Sequence, residues 1–218
     1  MARPKRSIEN RLLEAQVTID NSLSNPVILD AVTLFGYDEA RLQAARALYD
    51  EAIALVAAQK LEYGGQYEAT ATLQAAWNEA DLAYKRALKI ARIAFKGNEK
   101  ARNALRLSGI RKKSLSGWLE ETAVFYTNML ATPDFIAAMT PYSYDQAKLE
   151  AEAALVQAVT TAKAAQDKER GKAQEATKVR NAKLDELDRW LADYKKIAEV
   201  ALDQSPQQLE QLGWVVAS

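Results

Sequence analysis

Apolar residues recur three or four positions apart as Trp77, Ala80, Tyr84, Ala87, Ala91 and Ala94, and again as Leu184, Leu187, Leu191, Tyr194, Ala198 and Ala201. That spacing predicts helices packed side by side at shallow angles. Ahead of the first run, Ala44, Leu48, Leu55 and Ala58 carry the stripe. Around "KLEYGGQYE" and "DKERGKAQE" the stripe gives way to polar residues, and Gly64 and Gly171 enter. Both stretches are expected to be solvated tips of helical hairpins. An unbroken helix would run about 85 to 90 Å at 1.5 Å per residue and leave much apolar surface in search of a partner.

Other elements are predicted from their ends. Ser7 is suited to cap a helix over about Ser7 to Leu23, although Asn10 stands where a capping box would need Glu or Gln. Asn25 before Pro26, and Thr132 before Pro133, each join a capping side chain to a Pro that needs no N–H. Those short helices stop near Gly36 and near Pro141. Asp38 and Asp145 then open the long stretches, where a carboxylate suits both the cap and the positive end of the dipole.

The parallel runs through the whole chain. Pairing Pro26–Phe95 with Pro133–Leu202 at an offset of 107 gives 25 identities in 70 pairs, against about a tenth expected by chance in an Ala-rich chain, and this marks an internal repeat. Identities include Tyr37/Tyr144, Asp38/Asp145, Gln59/Gln166, Gly64/Gly171, Glu79/Glu186, Asp81/Asp188 and Ile90/Ile197. Weaker likeness extends upstream, "KRSIENRLLEAQVTIDNSL" against "KKSLSGWLEETAVFYTNML". Downstream, "LSGI" near Leu107 and "LGWV" near Leu212 end the copies alike after an expected deletion of two or three residues.

The predicted fold is therefore all-α: an internally duplicated helical bundle, repeat 1 over 1–109 and repeat 2 over 110–218, related by a pseudo-twofold. Each copy contributes a short N-terminal helix pair and a long hairpin, giving four long helices and one shared core. Trp77 aligns with Leu184 and Trp190 with Ala83, so bulk has shifted position within a packed interior.

Composition removes most chemistry. The 218 residues include no His and no Cys, while 49% are apolar and 27% charged, the proportions of a folding chain. Nucleophile–His pairs, thiolate chemistry and the usual zinc sites are excluded, as are the Glu-x-x-His motifs of di-iron bundles. "GIRKKSLSG" is not a phosphate loop, for its glycines are eight apart and no Gly-Lys-Ser/Thr follows. Carboxylates remain. Glu79 and Asp81 lie two apart on a helix and diverge; Asp185 and Asp188 share a face, but copy 1 has Asn78 and Asp81 there. No catalytic residue, metal or cofactor is expected. No apolar run has the length of a signal peptide core or a membrane span, which makes cytoplasm the default expectation.

Charge separates the copies. Lys85, Arg86, Lys89, Arg92, Lys96, Lys100, Arg102, Arg106, Arg111, Lys112 and Lys113 face a single acid, Glu99, so eleven minus one leaves +10 on a chain of net charge zero. The matching part of copy 2 carries Lys195 and Lys196 against Asp193, Glu199, Asp203 and Glu210, two minus four, or −2. Lys85, Lys89, Arg92 and Lys96 would line one helix face. Two outcomes compete: neutralisation by acids of neighbouring helices, such as Glu120, Glu121, Glu150 and Glu152, or a surface for a partner.

The expected function is a non-enzymatic structural or scaffold protein acting through protein–protein contacts and self-assembly. An alternative is binding of nucleic acid or anionic membrane by segment 85–113, where Phe95 is the sole aromatic for base stacking. A further alternative is a magnesium-dependent carboxylate enzyme or a small-ligand carrier. The duplicated Ala-rich bundle is similar in general look to bacterial helical proteins, a likeness that carries no site across.

Overall fold

The computed structural model describes residues 6–214. Most of the basic start, Met1–Lys5, and Val215 of the "LGWV" ending lie outside the described residues. Among the described residues there are eight α-helices, one 3-10 turn and no strand. The helices are α1 (Ile8–Ser24), α2 (Pro26–Thr33), α3 (Glu39–Ala94), α4 (Glu99–Ala104), α5 (Leu115–Leu130), α6 (Pro133–Met139), α7 (Gln146–Ala201) and α8 (Gln207–Gln211), and the 3-10 turn is Thr140–Tyr142.

The caps follow the sequence closely. The Ser7 hydroxyl accepts from the Asn10 N–H at 3.2 Å, and the Asn25 side chain accepts from the Val27 N–H at 3.0 Å. Asp38 and Asp145 each accept a backbone N–H three residues on, from Arg41 and Lys148, both at 2.9 Å. Thr132 differs: its side chain caps nothing, and α6 starts on Pro133 alone. Gly36 ends the α2 segment with φ +79°, and Ser143 ends the 3-10 turn with φ +63°.

The expected hairpins are absent. α3 and α7 run through Gly64 and Gly171 as continuous helices of 56 residues each, so there are two long helices rather than four. A glycine in a helix interior costs about 1 kcal/mol, whereas a turn there would expose the polar groups of two helix ends. "KLEYGGQYE" supplies no Ser, Thr, Asn or Asp to cap them. The packing stripe also does not stop. Ala52, Leu55, Gln59, Glu62, Gln66, Ala69 and Leu73 alternate spacings of three and four through the glycines, and all are buried or half-buried. Polar groups at and beside the seam find partners on α7: Arg180 donates to Gln59 of the seam at 2.9 Å, and Gln166 donates to the neighbouring Thr70 at 3.3 Å. At Gly65 an added Cβ would stand 3.3 Å from a Glu169 carboxylate oxygen.

Earlier in α3 the buried positions are Leu42, Ala45, Tyr49 and Ala52, while Ala44 and Ala58 are exposed. In "QAARALYDEA" adjacent apolar residues give little contrast: of the expected stripe Leu48 and Leu55 are half-buried, whereas the buried alanines lie one position on from Ala44 or elsewhere.

The chain forms two compact units. One takes in the chain up to Tyr63 and again from Lys172; the other is Gly64–Gly171. These divisions cut across the repeats expected over 1–109 and 110–218, each unit drawing on both ranges. In the first unit α3 and α7 are antiparallel, Glu51 pairing with Lys183 at 3.0 Å. Where the repeat pattern implies a single shared core, the buried apolar residues gather in three clusters. Two lie in the first unit, one around Tyr194, Leu212 and Trp214, the other around Ile19, Tyr49 and Leu184. The second unit has one, around Tyr84, Trp118, Phe125 and Met129. The shifted Trp residues both serve packing: Trp190 stacks on Tyr194 at 5.0 Å, and Trp77 meets Trp118 edge-on at 6.1 Å.

Candidate binding surface

All eleven cations between Lys85 and Lys113 belong to the Gly64–Gly171 unit. The last turns of α3 carry the first of them, and Gly97, at φ +86°, breaks the helix so that the chain can turn into α4. Asn98 caps α4 by accepting from the Ala101 N–H at 3.0 Å. After α4 the backbone turns left-handed at Arg106, φ +51°, burying Leu105 and Leu107 on either side.

Arg111 binds this turn together. Its guanidinium donates to the carbonyls of Arg106 at 2.9 Å and Ser108 at 2.6 Å, and to the Tyr84 hydroxyl at 3.1 Å. Arg92 donates to the Leu107 carbonyl at 2.9 Å, and Arg102 to the Ser108 hydroxyl at 3.1 Å. These three arginines are structural ties.

Acids answer some of the rest. Glu120 takes Lys112 at 2.6 Å and Arg106 at 3.0 Å. Lys112 first and Arg106 second hold its carboxyl down at about 2. Glu121 is buried, accepts the Lys112 backbone N–H at 3.1 Å, and lies 4.0 Å from Arg111. Lys85 pairs with Asp81 at 2.5 Å, and Arg102 with Glu99 at 3.7 Å. The other two candidate acids are occupied elsewhere. Glu150 accepts from Gln146 at 2.8 Å. Glu152 accepts from the Tyr126 hydroxyl at 2.9 Å, and burial raises its carboxyl above the usual range.

The segment therefore divides. Arg92, Arg102, Arg106, Arg111 and Lys112 are committed internally and exposed Arg86 directs its charge toward Glu152, whereas Lys89, Lys96, Lys100 and Lys113 are exposed and form no ion pair or hydrogen bond among the described residues. The predicted row Lys85, Lys89, Arg92 and Lys96 is exposed throughout but interrupted, since Lys85 and Arg92 are taken.

Asp81 and Asp188, for which the sequence suggests no catalytic or metal role, each hold a partner. Asp81 accepts from the Trp118 indole N–H at 2.9 Å. Asp188 and Asp185 converge on Arg11, each at 2.9 Å from its guanidinium. The repetition of the aspartate was the available signal. Its two partners, Trp118 and Arg11, differ in chemistry although they lie 107 positions apart (118 − 11).

No helix among the described residues is long and apolar enough to cross a membrane. Compared with known proteins, the chain matches no protein-family model, no curated protein and no solved structure.

Proposed function

We propose that the protein is a helical scaffold that works by protein–protein contact and engages further copies of itself through complementary charge. The observation that carries this reading is the unequal surface of corresponding segments. Lys89, Lys96 and Lys100 are exposed and unpaired among the described residues of the Gly64–Gly171 unit, while Glu199, Asp203 and Glu210 are exposed in the other unit. Contact between unlike surfaces is head-to-tail, which closes into rings or grows into filaments.

The same reading takes the chain as one helical unit duplicated. In support, α3 and α7 have equal length and begin 107 residues apart (146 − 39). Left-handed turns at Arg106 and Gly213 are also 107 apart (213 − 106).

Sedimentation in low and high salt tests the contact. Assembly at low salt should dissolve at high salt, where exposed charges are screened within about 3 Å at 1 M. Lys89→Glu, Lys96→Glu and Lys100→Glu together should abolish it, and Glu199→Lys, Asp203→Lys and Glu210→Lys added to that chain should restore it. A protein that stays monomeric at high concentration in low salt refutes the proposal.

A further inference from the structure

A groove of about 360 Å³ opens in the Gly64–Gly171 unit beside Trp77, between α3 and the residues leading into α5. Trp77, Tyr84 and Trp118 line it together with Lys85, Arg111 and Lys113. Its volume falls in the lower range of small-molecule sites, about 300 to 1,000 Å³.

The aromatic side is built in depth. Trp118 is buried, fixed by its bond to Asp81, and meets Tyr84 edge-on at 6.4 Å. Core packing accounts for Trp118. It accounts less well for Trp77, which remains half-exposed on the groove wall. On the polar side, Asp81 is the one acid among the described residues that line the groove, and it is already answered by Lys85 at 2.5 Å. Positive charge is thus left over at Lys113, which is unpaired among the described residues, and Arg111, although 4.0 Å from Glu121, keeps its Nε–H without an acceptor there. The positions 107 residues on from Trp77, Tyr84 and Lys85 are Leu184, Leu191 and Ala192. In the other unit Leu184 and Leu191 are buried and Ala192 is exposed, so those three positions supply neither ring nor cation there.

We propose that this groove binds a small planar aromatic anion, its ring against Trp77 and its phosphate or carboxylate toward Lys113 and Arg111. A flat apolar wall next to surplus cations selects a ligand holding both features, because a ring alone leaves the cations unanswered and an inorganic anion alone leaves the wall wet. The site is independent of the charge contacts between copies, since its ring-binding residue takes no part in them.

Calorimetric titration with 1-naphthyl phosphate, followed in parallel by the indole N–H resonances of the four Trp residues, tests it. The expected result is saturable binding that weakens with salt and shifts a subset of those resonances. Binding of 1-naphthol or inorganic phosphate should be at least about ten-fold weaker, the size of one lost aromatic stack. Titration with 1-naphthoate separates the sources: equal affinity identifies a carboxylate site as readily as a phosphate site, and weaker affinity identifies phosphate. Trp77→Leu, which installs the residue found at position 184, should weaken 1-naphthyl phosphate about ten-fold, with circular dichroism reporting the fold. Lys113→Glu, at an exposed position, should do the same and decides the matter if the first variant fails to fold. Absence of binding by both naphthyl anions at millimolar concentration overturns the proposal, as does wild-type affinity in folded variants.

Discussion

The two compact units bury different polar pairs at positions 107 residues apart, and in each case the other unit has an apolar pair. In the Gly64–Gly171 unit Tyr126 donates to the buried carboxylate of Glu152 at 2.9 Å. The corresponding residues of the other unit, Ile19 (126 − 107) and Ala45 (152 − 107), share an apolar cluster. The exchange is reversed for Ser22 and Tyr194, whose buried hydroxyls lie 2.5 Å apart. Burial pushes the Tyr194 phenol up to about 12. The opposite unit has Met129 (22 + 107) and Ala87 (194 − 107) in its core. In both pairs the polar groups enter the interior bonded to each other, because a buried donor or acceptor without a partner costs about 1 to 3 kcal/mol.

The largest effect should come from breaking one couple. Tyr126→Ile removes one of the two phenol donors of buried Glu152, leaving Tyr144 as donor with Lys148 and Arg86 as the charges that still reach it, and should destabilise by about 1 to 2 kcal/mol in urea unfolding near neutral pH. Tyr126→Ile with Glu152→Ala transplants the apolar pair and should recover much of that loss, a non-additive cycle. The sign of the pH dependence follows from burial. A carboxyl raised in the folded state opposes folding when ionised, so the penalty in Tyr126→Ile is present above its folded titration point and is relieved as pH falls through it. Additive losses would break the comparison.

A smaller difference is expected at the aspartates. Asp81→Ala strands the Trp118 indole N–H and should cost about 1 to 2 kcal/mol. Asp188→Ala should cost less, because Arg11 keeps Asp185 at 2.9 Å. Thermal melts of the two variants side by side measure the gap, and a more damaging Asp188→Ala would contradict the assigned partners.

The smallest effect has the clearest sign. Gly64 and Gly171 are helical, with open space where a Cβ would stand, so Gly64→Ala and Gly171→Ala should each stabilise by about 0.5 to 1 kcal/mol. A hairpin turn at either position would instead be damaged, so a loss of stability would overturn the continuous helices.

Much of the local structure was legible. Ser7, Asn25, Asp38 and Asp145 cap as their residue types require, because a cap depends on residues two or three positions away. The all-helical character and the seam from Trp77 to Ala94 were legible for the same reason. The route through the glycines was not. Whether Gln59 faces water or a partner depends on Arg180, more than a hundred residues away, and a polar seam residue looks like a solvated one until that partner is found. The division of the basic segment was hidden likewise: Arg92 and Arg111 resemble Lys89 and Lys96 in sequence and differ only in having carbonyls folded within reach. Trp118 escaped notice because Asp188, 107 positions on from its own partner Asp81, binds an arginine instead.

The division of the chain between the units also sets an order in time. Gly64–Gly171 is one unbroken stretch, whereas the other unit needs residues on both sides of it. During synthesis the inner unit has all its residues once Gly171 has emerged. The segment before Gly64 has by then been waiting, with Ile19, Ile28, Leu42 and Tyr49 lacking the Leu184, Tyr194 and Leu212 that cover them in the finished protein. Closing contacts across so many intervening residues is the slow, entropically costly step. The first part of the chain to be made is thus among the last to be buried, and in that interval its apolar side chains stand open to chaperones or to the matching segment of another nascent chain.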